Sequence, residues 1–277
     1  MSGAAASVRD VHVIERGSGT PLVLVHGHGL DHRSLLPLDP VVEAAGGWRR
    51  LHLDLPGTAG TPIGDVASTQ DVVDAVLAEL GRRLGDEPFA VLGMSFGGMV
   101  ARQVAHVLRP RVLGLATLAG VFVAEHARRA VPPATVLRTD PAALALAGAA
   151  ADDYAELAVV QGVENARAFL EHLQPGIAGA DDAGLARIAA RYALEREPED
   201  AYPEPFTQPA LVLTARQDQV VGYADAWARV EHYPRATFVV LDAAGHHAHL
   251  DRPALTAALV ADWLERVRAA DGALDAP

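Results

Sequence analysis

The 277-residue chain has no cysteine. That excludes thiol nucleophiles, thiolate metal sites and disulfides, and it removes any need for an oxidising compartment. Lysine is missing too, since all 23 Lys and Arg positions are arginine. A phosphate loop built on Gly-Lys-Ser/Thr is therefore ruled out. No run approaches the roughly 20 apolar residues of a membrane span. The opening "MSGAAASVRD" lacks an apolar stretch behind a basic one, so a secretory leader is not expected. Cations are in deficit, and the formal net charge of −12 disfavours nucleic acid and other polyanionic partners. These absences fit a cytoplasmic protein that takes a small-molecule substrate, as a monomer or homodimer.

What is present is apolar. Half of the residues are hydrophobic, enough for a sizeable core without staples. Six short apolar runs read as buried strands: Leu22–Val25, Leu51–Leu55, Phe89–Leu92, Val112–Leu118, Leu211–Leu213 and Phe238–Leu241. Most lack strict alternation, as expected of strands covered on both faces. Helical periods lie between them. "STQDVVDAVLAELGRRL" opens on Ser68 as an N-cap and repeats Val72, Val73, Val76, Leu77 and Leu80 on one face. The last helix starts near Pro253 and carries Leu255, Leu259, Trp263 and Val267. Alternating strand and helix predicts an α/β fold with a doubly wound, mostly parallel sheet.

Residues 122–206 break the alternation. No strand is evident there, only Ala-rich helical periods such as Ala166, Phe169, Leu170 and Leu173, then Leu185, Ile188, Ala189 and Tyr192. Pro198, Pro203 and Pro205 lead back to the sheet. The expected division is a core of residues 1–121 and 207–277 with a helical lid inserted at 122–206.

Chemistry enters at Gly93-Met94-Ser95-Phe96-Gly97, between an apolar strand and a helix. In that context a serine sits on a strained strand–turn–helix elbow, and small neighbours let strand and helix approach closely. A serine hydroxyl needs a base, and the base needs an acid to hold its tautomer. Asp218 follows the Leu211–Leu213 strand. Asp225 and Glu125 are weaker rivals, one inside the next helix and one past the Val112–Leu118 strand. For the base, "AAGHHAHLDRP" offers His246, His247 and His249 within four positions. Such a cluster can bind metal, present one base, or do neither. No His-Glu-x-x-His helix or cysteine accompanies it to favour a metal.

Together these residues resemble the α/β-hydrolase fold family over nearly the whole chain. "VHGHG", "LDLPGTAGTP", the serine elbow and the late Asp/His pair carry the resemblance, and the order Ser95…Asp218…His246 is the family's. In "DLPGTAGTP" the chain departs from the common Asp-x-Pro-Gly-x-Gly-x-Ser, with Ala59 and Thr61 at the sixth and eighth places. The resemblance selects His246, directly after Gly245, as the base and leaves His247 and His249 as flanking residues. It also implies that the backbone N–H groups of His28 and Phe96 form an oxyanion hole. His26 is then structural, Asp54 shapes a turn, and Asp251 caps the last helix.

The implied reaction is acyl transfer through Ser95, needing neither metal nor organic cofactor. Phe122, Tyr154 and Leu170 could line the pocket or pack the lid. Apart from Arg128-Arg129 and Arg138, the lid shows no obvious cationic cluster that would single out a charged substrate. An uncharged or weakly acidic ester of small to medium size is the expected substrate. Carbon–carbon bond hydrolysis of a dienoic or β-diketone acid, cofactor-free perhydrolase or lyase chemistry, and a non-catalytic ligand-binding role are the alternatives.

Overall fold

The apolar runs pair side by side into one seven-stranded sheet in a computed structural model that describes residues 10–274. The strands are β1 (His12–Gly17), β2 (Thr20–Val25), β3 (Trp48–Asp54), β4 (Phe89–Met94), β5 (Val112–Leu118), β6 (Ala210–Ala215) and β7 (Ala236–Leu241). Their spatial order is β1-β3-β2-β4-β5-β6-β7, with β1 antiparallel to β3 and every other pairing parallel. All six expected strands are therefore found. The seventh, β1, was not foreseen. It lies on the sheet's edge, and "HVIERG" has too few apolar residues to announce a strand.

Alternate residues of each inner strand enter two separate cores. Val23, Val25, Phe89 and Val91 pack with α2 (Thr69–Leu84) and α3 (Phe96–Val107). Leu22, Leu24, Ala90 and Leu92 pack on the opposite face with α1 (Asp39–Ala45) and α12 (Pro253–Leu274). Burial on both faces is why these strands read as continuous apolar runs. Ser68 caps α2 as expected, its hydroxyl accepting the Asp71 N–H. In α12, Trp263 and Val267 are fully buried, but Leu255 faces outward. Each four-residue step advances about 40° around a helix, so three steps carry Leu255 off the buried stripe.

Between β5 and β6 the regular elements are helical: α4 (Pro141–Ala147), α5 (Ala151–Leu157), α6 (Val163–His172), α7 (Gln174–Gly179), α8 (Asp182–Ala189) and α9 (Pro198–Ala201). Short α10 (Ala224–Trp227) follows β6, and α11 (Ala248–Asp251) immediately precedes α12. No helix among the described residues is long and apolar enough to cross a membrane. Because β2 to β7 run in one direction, the loops after their C-terminal ends gather along one edge of the sheet. Such an edge is where doubly wound sheets form their sites.

Candidate active site

Ser95 directly follows β4 and precedes α3, so it occupies the elbow. Its φ of 53° and ψ of −119° lie where side chains are disfavoured, a strain of about 1–3 kcal/mol. The surrounding packing enforces this bend. A Cβ at Gly93 would come within 2.1 Å of Gly97 O, and one at Gly97 within 2.2 Å of Val25 O. The Ser95 N–H donates to Leu118 O at 3.0 Å, and Ser95 O accepts the Val121 N–H at 3.0 Å. The elbow is thus stitched to the end of β5.

Asp218 lies in the turn after β6 and is completely buried. Its Oδ1 accepts the N–H groups of Val220 at 2.9 Å and Val221 at 3.1 Å, which fixes the carboxylate's orientation. His246, in the loop after β7, faces both residues. Its Nδ1 is 3.1 Å from Asp218 Oδ2 and 3.2 Å from Oδ1. Its Nε2 is 2.8 Å from Ser95 Oγ. With the proton on Nδ1 held by the carboxylate, Nε2 is left as the acceptor for the serine hydroxyl. Ser95 and His246 are only 8% and 9% exposed, so this line of three groups is shielded from bulk water. It can move a proton off a hydroxyl and return it elsewhere.

The rival acids lie in other company. Asp225 accepts the Ala130 N–H at 3.0 Å, and Glu125 is exposed beside Arg128 at 3.8 Å. The neighbouring histidines also part ways. His249 Nε2 donates to Ser34 O at 3.0 Å, and burial drives its pKa down to about 4. His247 is buried with no partner for Nδ1, and that burial, reinforced by His246 and His249, pushes its pKa well below the ordinary value. Three adjacent imidazoles therefore have three different surroundings.

His28 and Phe96 lie on the other side of Ser95. Phe96 is the first residue of α3, where a helix leaves its N–H without an intrahelical partner. No hydrogen bond engages the His28 N–H among the described residues. The His28 ring packs edge-on against Phe96 at 5.5 Å and Tyr192 at 5.8 Å, and burial lowers its pKa. Tyr192 follows α8 and also stacks on Phe96 at 5.2 Å. Its helical spacing in the sequence, after Leu185, Ile188 and Ala189, carries no sign of this contact. His26 is structural: its Nδ1 donates to Gly27 O at 2.7 Å, and its Nε2 accepts the Leu55 N–H at 2.9 Å.

Asp54 ties the same loop down, accepting from the His32 and His12 Nδ1 atoms, each at 2.8 Å. Asp31, His32 and Asp54 bring potential metal-ligand atoms within 4.8 Å of one another. The Asp31 carboxylate, however, already receives the Arg33 guanidinium, and both Asp54 oxygens receive imidazoles. Asp251 does not cap α12. It belongs to α11 and accepts the Gly245 N–H through Oδ2 at 2.8 Å.

A cavity of about 220 Å³ lies against His246, walled by Val136, Leu157, Val159, Gln219 and Val220. No lysine or arginine lines it. Arg129 is spent on the carbonyls of Val123, Ala124 and Val220, while Arg138 Nε donates to Gln161 O. Phe122, Tyr154 and Leu170 are not in the cavity wall. Phe122 packs under Arg102, and the Tyr154 hydroxyl bonds the Gly162 backbone.

Known proteins share the chain's fold and family. Pimeloyl-(acyl-carrier protein) methyl ester esterase of Aeromonas hydrophila is 30% identical over 248 residues, covering 87% of this chain and 94% of that one. The crystal structure of an alpha/beta superfamily hydrolase from Oenococcus oeni superposes with a TM-score of 0.87 at 21% identity, covering 97% of this chain and 100% of that one. A thermophilic esterase from Thermogutta terrifontis gives a TM-score of 0.71 at 24% identity, with 93% of each chain covered. Residues 22–259 match the alpha/beta hydrolase family, and the chain belongs to it.

Proposed function

We propose that the protein is a serine hydrolase that cleaves a small-molecule ester through an acyl-enzyme. The observation that carries this reading is the 2.8 Å contact between Ser95 Oγ and His246 Nε2, with Asp218 behind the ring. His246 takes the hydroxyl proton as Ser95 attacks the ester carbonyl. The resulting oxyanion rests on the N–H groups of His28 and Phe96, worth a few kcal/mol for each donor. His246 then gives its proton to the departing alcohol. Water, deprotonated by the same ring, attacks the acyl group and releases the acid and free Ser95. The cycle calls on no cofactor. Residues 122–206 serve as the lid over a core of 1–121 and 207–277.

The cavity beside His246 supports an uncharged substrate. A dienoic or diketone acid needs a cation for its carboxylate, and no arginine lines this cavity. The Aeromonas relative, named for a methyl ester, makes simple alkyl esters the first class to assay. The test is hydrolysis of short- and medium-chain p-nitrophenyl and methyl esters by the wild type and Ser95→Ala. Turnover that vanishes in Ser95→Ala supports the reading. Turnover that survives removes Ser95 as nucleophile, and tight binding without turnover would favour a ligand-binding role instead.

A further inference from the structure

The loop that presents His246 is held from behind. Gly245, the residue before the histidine, donates its N–H to Asp251 Oδ2 at 2.8 Å. The other oxygen, Oδ1, accepts Asn165 Nδ2 at 3.1 Å, and Asn165 belongs to helix α6 of the inserted region. The same glycine also abuts the insertion directly. A Cβ there would lie 2.6 Å from Val159 Cγ2 and 3.4 Å from Leu157 O. Leu157 and Val159 are also walls of the cavity against His246. One carboxyl group thus joins the histidine loop to the helices that cover it.

We propose that Asp251 is a positioning residue that sets the orientation of His246 and couples it to the inserted helices through Asn165. The proposal rests on the reading of His246 as the base. An Asp in this place is not a comfortable space-filler. Burial pushes its carboxyl up to about 6, against the lowering effect of the Gly245 and Asn165 hydrogen bonds. Its other titratable surroundings are Arg138 and Asp140 ahead of α4, Tyr154 of α5, Glu164 of α6, and His247. None of these is hydrogen-bonded to it, so Gly245 and Asn165 are its two partners among the described residues. If the loop swings by about 1 Å, proton transfer between His246 and Ser95 suffers on the order of 100-fold.

The test is steady-state kinetics per active site, with sites counted by fluorophosphonate titration, on four variants. Asp251→Ala should lower kcat about 10- to 100-fold with KM within about threefold. Asp251→Asn, which keeps an oxygen for the Gly245 N–H, should recover to within about fivefold of wild type. Asn165→Ala should cost about three- to fivefold, and Asn165→Ala/Asp251→Ala should be no worse than Asp251→Ala alone. Asp251→Ser, too short to reach Gly245, replaces the alanine variant if that one does not fold. A wild-type kcat per titrated site in Asp251→Ala, with only a lower melting temperature, overturns the proposal. Equal losses in Asp251→Asn and Asp251→Ala overturn the acceptor role, and additive losses in the double variant overturn the link to α6. Retained turnover in Ser95→Ala would instead bring down the site itself.

Discussion

Helix α3 carries two buried polar clusters, one at its N-terminus and one near its middle. At its N-terminus Ser95 meets His246 and Asp218. Two turns later Arg102, fully buried, donates to Glu199 Oε1 at 2.8 Å, to Val121 O at 2.7 Å and to Glu197 at 3.1 Å. Tyr233 closes that second cluster by donating to Glu199. Burial alone does not distinguish the two. In the Arg102 cluster the guanidinium is engaged by Glu197 and Glu199, Tyr233 closes on Glu199, and none of these residues has a positive φ. The Ser95 cluster has a strained residue, an imidazole between two partners of different acidity, and a cavity at its side. A polar group that is satisfied holds a fold together. One that is poised, strained and reachable is arranged to react.

That contrast predicts opposite responses to substitution. His246→Ala and Asp218→Asn should lose on the order of 10³–10⁴-fold or more in kcat/KM, read with the ester found by the substrate screen. Their melting temperatures should stay within a few degrees of wild type. Arg102→Met should do the reverse. Removing the cation strands the buried Glu199, at a cost of about 3–5 kcal/mol measured by urea unfolding, while kcat per titrated site stays near wild type. A large kinetic loss in folded Arg102→Met would erase the distinction between the clusters.

Acid sharpens the same comparison. Burial by itself would raise the Glu199 pKa, but Arg102 and the Tyr233 hydroxyl outweigh it and hold the group at about 2. A carboxylate whose folded pKa is depressed contributes stability above its unfolded value and loses it as pH falls. Unfolding free energy should therefore decline between about pH 4.5 and pH 2. Glu199→Gln should flatten that slope.

The smallest expected effect lies in the "DLPGTAGTP" loop. Ala59, a non-glycine residue in that loop, takes a φ of +36°. Ala59→Gly should relieve that strain and stabilise by up to ~1 kcal/mol, a rise of a few degrees at most in melting temperature. No change or a loss would mean that the loop's hydrogen bonds, such as Thr61 Oγ1 to Asp54 O at 2.6 Å, dictate its shape regardless of the residue.

Much of this was legible in the chain, for identifiable reasons. The inner strands announce themselves because both faces are buried, and Ser95 and Asp218 each fall just past one of them, whereas His246 follows β7, an edge strand that still reads as the apolar run Phe238–Leu241. Edge strand β1 does not, since its face is mostly exposed and "HVIERG" carries only two adjacent apolar residues, where β7 keeps an apolar run. Arg102 reads as an ordinary helical arginine because its partner Glu199 lies 97 residues away. Asp251 mimics a cap, standing two residues before Pro253. Its role depends on Asn165, 86 positions earlier in the sequence, which no local pattern reveals.

The most direct measurement is intact-mass and peptide mapping after treatment with a fluorophosphonate. One adduct per chain, on Ser95 and strongly slowed in His246→Ala, is the predicted result. Labelling at another residue, or at Ser95 with undiminished rate once the imidazole is gone, would contradict it.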